Sequence, residues 1–569
     1  MAFMLSPGVN FTEIDLTTIV PAVGTTEGAF AGDFAWGPIN TIVSLGNEVE
    51  LAKIFGKPTA NTFKSFFSCS NFLSYARSLR VVRTADTTAA KNATSGAALL
   101  IQNRDDYEVN YLDLSAANSS GQFAARYAGT LGNSLKVSMY TGANNTDWTA
   151  WEYYEEFNGA PGTSIFAGNL NGANDEMHII VVDEDGRFSG AANTILEKYA
   201  YVSKASDAYN DDGSSNYYVN VINDRSRYIY ILNHLQTNPD QVNDTATWGL
   251  QASGQTFAEG NNWVTWSLTG GVDALSTDAD VIAGYDKFIN AEEVDVSLIV
   301  TGAANTAVVE HTIENIAEVR KDCVSFLSPL MNQVVNNDGN EVDDSVAQRN
   351  QYNSTSYAVM DNNWKLQFDK YNNVYRWVPC NGDIAGLCVR TDYERDPWYS
   401  PAGFNRGHIK NVTRLAYNAT QSERDDLYKN GINPIVTFPG EGTILYGDKT
   451  MLAKPSAFDR INVRRLFIVL EKAITRAARY SLFEFNDEFT RAQFVALVEP
   501  FLRDVQGRRG IYDFRVVCDE TNNTPEVIDR NEFIGDIYIK PARSINFIQL
   551  NFIAVRTGVA FEEVVGKWG

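Results

Sequence analysis

Catalysis requires proton donors, nucleophiles or metal ligands at workable spacing, and this chain offers few. Its four histidines, His178, His234, His311 and His408, stand far apart among ordinary neighbours, which favours packing or surface roles over acid–base work. Neither a G-x-S-x-G elbow nor an H-E-x-x-H pair occurs. The nearest approach to a phosphate loop is GTILYGDKT at 442–450. There Asp448 stands where the P-loop lysine must follow its second glycine, and a carboxylate opposes a phosphate. We read it as a turn between strands. DEDG at 183–186 and NNDGNEVDD at 336–344 carry oxygen ligands for a hard cation, but neither has calcium-loop spacing with a distal glutamate. A hairpin turn and a solvated loop are expected instead. No catalytic, cofactor-binding or metal residue is assigned.

At 569 residues the chain exceeds what one hydrophobic core supports, so several domains are expected. With 44% apolar and 21% charged residues it has enough to bury and should fold. The net charge of −23 repels polyanions and argues against nucleic acid as a partner. That charge is uneven: residues 451–569 carry 17 Lys and Arg against 16 Asp and Glu, so the acidity belongs to residues 1–450. Five cysteines, Cys69, Cys323, Cys380, Cys388 and Cys518, form no C-x-x-C pair and suit a reducing compartment during synthesis. The opening MAFMLSPGVNFTEID lacks a basic n-region, and no run approaches the ~20 apolar residues that cross a bilayer. A soluble, unexported polypeptide with no membrane partner is expected.

The elements that would position any site follow from periodicity and punctuation. Residues 22–84 read as strand, helix (NEVELAKIFGKP), helix and strand, an α/β opening. Between about 89 and 180 the composition shifts to Asn, Ser, Thr and Gly with intermittent aromatics, which suits an all-β or loop-rich insertion. MHIIVVDEDGRFSG reads as strand-turn-strand and ANTILEKYAYVS as helix, and 271–330 returns to α/β order. NNWKLQFDKYNNVYRWVP is a hairpin with Asn372 and Asn373 at its turn, followed by a helix in IAGLCVRTDYERDP.

The clearest helix spans 462–480, with Val463, Leu466, Phe467, Leu470, Ile474 and Ala477 on one stripe and Arg465, Lys472, Arg476 and Arg479 on another. The basic stripe reads first as a solvated helix face; in a chain this acidic elsewhere, the sharper reading is docking to the acidic surface of a neighbouring copy or to the structure the copies surround. A further helix is expected from Thr490, whose TRAQ has the form of a capping box, and Pro500 should kink or end it.

Both chain ends read as extended apolar arms. Val9, Phe11, Ile14 and Leu16 lie between Pro7 and Pro21. Near the other end, Ile548, Leu550 and Phe552 line one face of a strand, and Ile545, Phe547, Ile553 and Val555 the other. A strand apolar on both faces needs cover on both sides, and pairing with a sheet edge of another chain supplies it. A strand folded into its own domain remains the simpler possibility.

Several segments, in order, resemble contractile tail sheath proteins of T4-type myoviruses: LSPGVNFTEID, FAARYAGTLGNSLKV, LTGGVDA, PWYSPAGFNRG and ARSINFIQLNFIAVRTGVAFEE. VVDEDGRFSGAANTILEKYAYVS supports that branch. The resemblance implies a structural virion subunit, not an enzyme, assembled in the host cytoplasm. Such subunits form a helical homo-oligomer of stacked, hexameric rings around an inner tail tube, bounded by baseplate and tail terminator proteins, and contract to drive the tube through the host envelope. The implied fold is α/β and α+β multidomain. Its parts would be an N-terminal linker arm (1–22), a discontinuous middle α/β domain (23–95 and 181–345), an outer β-rich insertion (96–180), an inner tube-facing α/β domain (346–540) and a C-terminal linker arm (541–569). Two rival readings are a carboxylate-dependent hydrolase using Asp183 and Glu184, and an adhesin-type virion protein acting through the insertion.

Overall fold

The computed structural model describes residues 24–114, 118–142, 147–234, 247–259, 263–546 and 549. It is a mixed α/β structure with several sheets, and the chain divides into two compact units at the 482/483 junction.

The first unit is organised by a seven-stranded sheet. Its order is Ile432–Asn433, Ala358–Asp361, Val324–Leu327, Leu298–Val300, Gly28–Asp33, Leu79–Thr84 and Ile42–Leu45, parallel except for the last strand. The central strands are buried along their length and rich in Val, Ile, Phe and Ala, as a sheet covered on both faces demands. Gly28 is required by close packing: a Cβ there would sit 2.5 Å from the Phe72 ring. Helices Glu48–Phe55, Phe63–Leu73 and Asn381–Glu394 bury Phe55, Phe66, Phe72, Leu387 and Cys388 in one cluster with the strands, and Ile461 and Ile468 join it from the helix Ile461–Ala478. The expected hairpin forms between Trp364–Asp369 and Val374–Pro379, with Asn373 in the left-handed region (φ 54°) and the Asn372 N–H donating to Asp369.

The insertion leaves this sheet after Thr84 and returns before Leu298. Its neck is fastened by the Lys91–Val272 and Thr94–Thr269 bridges and by the buried Arg83, which donates to the Gly37 and Ala128 carbonyls at 2.7 Å each. Beyond the neck, four antiparallel strands pair in the order Thr194–Ser203, Glu176–Asp183, Leu135–Tyr140 and Trp263–Ser267. Two expectations therefore change. The insertion takes in residues 181–272 that were assigned to the middle domain, because those strands complete its sheet. The ANTILEKYAYVS segment is a strand, since the adjacent Glu176–Asp183 offers it a long ladder of backbone partners.

The second unit holds the helix Glu488–Gly507 and an antiparallel ribbon of Ile511–Val517 and Asp536–Pro541. Thus residues 346–540, expected as one domain, divide between the two units. The helix cap is Asp487, accepting from the Thr490 N–H at 2.8 Å, and not the TRAQ box. The helix also continues through Pro500, because Phe494, Val498, Leu502 and Val505 form one buried face on both sides of the proline.

Within the insertion, His178 is fully buried in an aromatic box, stacked on Phe157 (centroids 4.3 Å apart) and beside Trp148. Its Nδ1 accepts from the Tyr201 N–H, and its Nε2 lies 2.9 Å from the Gly159 carbonyl. Burial pushes its pKa down to about 4. The unfolded chain binds a proton near pH 6.5 that the folded insertion refuses until about pH 4, so stability falls as pH drops through that window and levels off below it. The loss should be on the order of 3 kcal/mol, and Trp fluorescence on acid titration reads it. The His178→Phe variant should show a shallower acid slope.

Candidate functional site

None of the residues first considered for chemistry forms a reactive constellation. His234 meets the Tyr218 hydroxyl at 2.6 Å, and His311 pairs with Asp286 at a helix surface. The Asp183 carboxylate is consumed by its own turn. It accepts from Ser134 Oγ (2.6 Å), Phe188 N (2.9 Å) and Ser189 N (2.7 Å), and these bonds outweigh burial and hold its pKa below the ordinary value. In the second acidic segment, Asp344 accepts from Asn337 and Glu341 from the Gly339 N–H at the start of the helix Glu341–Arg349. GTILYGDKT supplies the strand Gly442–Leu445, paired with Ile435–Phe438, while Asp448 lies buried 3.5 Å from Arg460. All five cysteines are buried and free. Among the described residues no cluster of His, Cys, Asp and Glu could hold a metal, and no helix is long and apolar enough to cross a membrane.

Buried carboxylates do exist that the sequence did not flag. Asp383 pairs with Lys365 at 2.8 Å, both fully buried, and also accepts from Tyr75. Nearby Asp361 has its pKa pushed up to about 7 by burial, and it accepts from Ser328 and from the Asn363 N–H. These are internally satisfied groups that fix the hairpin and the helix Asn381–Glu394 to the sheet. A cleft of about 510 Å³ lies beyond Ser328, lined by Lys64, Asn305, Asn332 and Trp364. It brings no acid–base pair together.

The basic stripe is largely spent inside the chain. Arg465 is 4% exposed and grips Asp392 with two bonds of 2.8 and 2.6 Å. Lys472 bonds Asp295, and Arg476 reaches the same carboxylate at 2.7 Å. Burial opposes ionisation of Asp295, but these two cations hold its pKa below the ordinary value. Arg465 is buried and Lys472 half-buried, both turned onto carboxylates of the same chain, while Arg476 is half-exposed and Arg479 exposed. Sequence periodicity placed these side chains on one face correctly. It could not show that Asp295 and Asp392, more than 70 residues upstream, fold against that face.

The surface that remains unsatisfied lies in the second unit and just before it. The ribbon has two strands, and among the described residues neither outer edge carries a third. Its inward pairs are Phe514–Ile539 and Val516–Ile537, while Tyr512 and Tyr538 stand exposed. Within the second unit Phe483, Phe485 and Phe489 are also exposed, and in the first unit Tyr480 and Leu482 are exposed near its end. Sequence reasoning passed over this run because it sits between two helices. Ile545, the first C-terminal arm residue, is 81% exposed. The other arm residues, Val9, Phe11, Ile14, Leu16, Phe547, Ile548, Leu550, Phe552, Ile553 and Val555, lie outside the described residues.

Residues 29–84 match the family described as "Tail sheath protein Gp18 domain III N-terminal region", 274–451 the "Phage tail sheath protein central domain" and 453–554 the "Phage tail sheath C-terminal domain". The first two matches end and resume on either side of the insertion neck. Tail sheath proteins of Vibrio phage KVP40 and Enterobacteria phage T4 are each 35% identical, over 99% and 100% of this chain and 100% of the relative. That of Salmonella phage ViI is 32% identical over 100% of this chain and 99% of its own length. In fold, the chain is similar to a sheath tail protein of Listeria innocua, with a TM-score of 0.51 and 12% identity over 92% of this chain and 96% of the other. It is also similar to the helical sheath of the anti-feeding prophage in its contracted state, with a TM-score of 0.50 and 12% identity over 97% and 99%. The chain belongs to the phage tail sheath protein family, the structural virion subunits of contractile tails, and is not an enzyme.

Proposed function

We propose that copies of this chain polymerise helically, in stacked hexameric rings, around an inner tail tube between baseplate and tail terminator proteins. Contraction of that polymer drives the tube through the host envelope. The joints are strands: the apolar arms at residues 9–16 and 545–555 of neighbouring copies add to the open edges of the Ile511–Val517 and Asp536–Pro541 ribbon. The observation that carries this is the ribbon itself. A two-stranded sheet is marginal in water on its own, and among the described residues no third strand pairs with either side of this one, in a chain of the tail sheath family. The exposed Phe483, Phe485 and Phe489 of the second unit then pack against a second copy, and their burial adds apolar cover to the backbone pairing. The hydrolase and adhesin readings have no supporting observation.

Deleting residues 544–569 should leave a folded chain that sediments as a monomer. Polymerisation at the wild-type concentration would refute strand exchange. Tyr512→Asp combined with Tyr538→Asp changes two exposed side chains, so the fold should survive by circular dichroism while polymer yield in electron micrographs falls. Arg479→Glu reverses the exposed charge at the end of the basic stripe. Its assembly defect should be largest at low salt and fade as the Debye length contracts to about 3 Å at 1 M.

A further inference from the structure

Two segments of the first unit that lead toward the chain's ends share hydrogen-bond partners. Gly24 and Thr25 connect residues 1–23 to the central strand Gly28–Asp33, and the helix Ile461–Ala478 leads into the second unit, which opens at Phe483. At one corner of the sheet these connectors share partners. Asp392 Oδ2 accepts from the Thr25 hydroxyl at 2.6 Å and from the Arg465 guanidinium at 2.6 Å. Arg465 also reaches the Thr25 carbonyl (3.4 Å) and the Cys388 carbonyl (3.2 Å). Ser297 bridges the same two connectors, donating to the Gly24 carbonyl at 3.3 Å and lying 3.4 Å from Lys472 Nζ. Two residues before it, Asp295 holds Lys472 and Arg476.

We propose that this corner, centred on Asp392, Arg465 and Thr25 with Asp295 as a second clasp, is a force-transmitting latch that couples the N-terminal connector to the helix leading into the C-terminal unit. It deepens the function proposed above and rests on it, since only a subunit joined to neighbours through both ends has load to pass between them. A buried ion pair is a poor choice for stability alone, because apolar residues of similar volume often serve as well. What it does provide is a short, directional, two-bond clamp between segments about 440 residues apart in sequence. Without it, load entering at Thr25 would run through the strand Gly28–Asp33 and the sheet core. With it, load crosses Asp392 into the helix directly.

The test is single-molecule pulling on the full chain, with handles at Ala22→Cys and Leu482→Cys. The native cysteines are buried and do not compete while the chain is folded. Wild type should give one high-force event in which helix and sheet yield together. The pair Arg465→Met with Asp392→Leu removes both charges at once and so avoids an orphaned buried ion. It should lose that event and show the helix detaching first as a separate low-force step. Asp295→Asn, at a half-exposed position, serves if the double variant does not fold, and should lower the force without reordering the steps. Identical traces for wild type and both variants would overturn the latch. Electron microscopy of the same proteins separates the two ideas. If wild type never polymerises, the sheath reading fails while the traces still judge the latch. If variant polymers contract in full concert like wild type, the latch carries no load in the assembly and the proposal fails.

Discussion

The first unit depends on one narrow contact: the pairing of Gly28 and Ala29 with Leu298 and Ile299. It joins two halves of a sheet whose strands lie about 270 residues apart, and no local hairpin substitutes for it. Small residues on the Gly28–Asp33 strand make it possible, since any side chain at Gly28 would collide with Phe72 and Leu79. Once the contact forms, the helices on either face gain a continuous apolar surface. The corner beside it then brings Thr25, Ser297, Asp392 and Arg465 within hydrogen-bonding distance.

Because the loop closed by that contact is already long, changing its length has little thermodynamic weight; each doubling costs only about 0.6 kcal/mol. The insertion hangs from a neck fastened by Arg83, Lys91 and Thr94, and its core around Val137, Ile179 and Ile222 is joined from outside by Trp36. Apart from that contact near the neck, sheet and insertion answer to separate packing constraints. That the family matches stop at residue 84 and resume at 274 agrees with this division.

Much of the fold was legible in the sequence where local pattern and tertiary demand coincide. The helix expected at 462–480 forms as Ile461–Ala478 because its stripe of Val463, Leu466, Leu470 and Ala477 is buried as the periodicity requires. The hairpin turned at Asn372 and Asn373 because Asn tolerates the left-handed region. Legibility failed where a distant partner decided the outcome. Residues 194–203 have a helix-compatible composition yet pair with the strand Glu176–Asp183, and Pro500 is overridden by a buried face on both sides of it. The basic stripe was found, but not its intrachain partners Asp295 and Asp392, whose positions only the assembled sheet defines. Both chain ends read as apolar arms from residue type alone, but the ribbon proposed to receive them did not, because an open edge is defined by a strand that is not there to be read.

In the proposed polymer the ribbon's second edge, unpaired among the described residues, has a consequence for growth. A subunit that lends strands and takes them up leaves the outermost member of any stack with vacant amide donors and acceptors. On that reading length is not set by the subunit; a foreign cap that closes the last edge, or a ruler that stops recruitment, sets it.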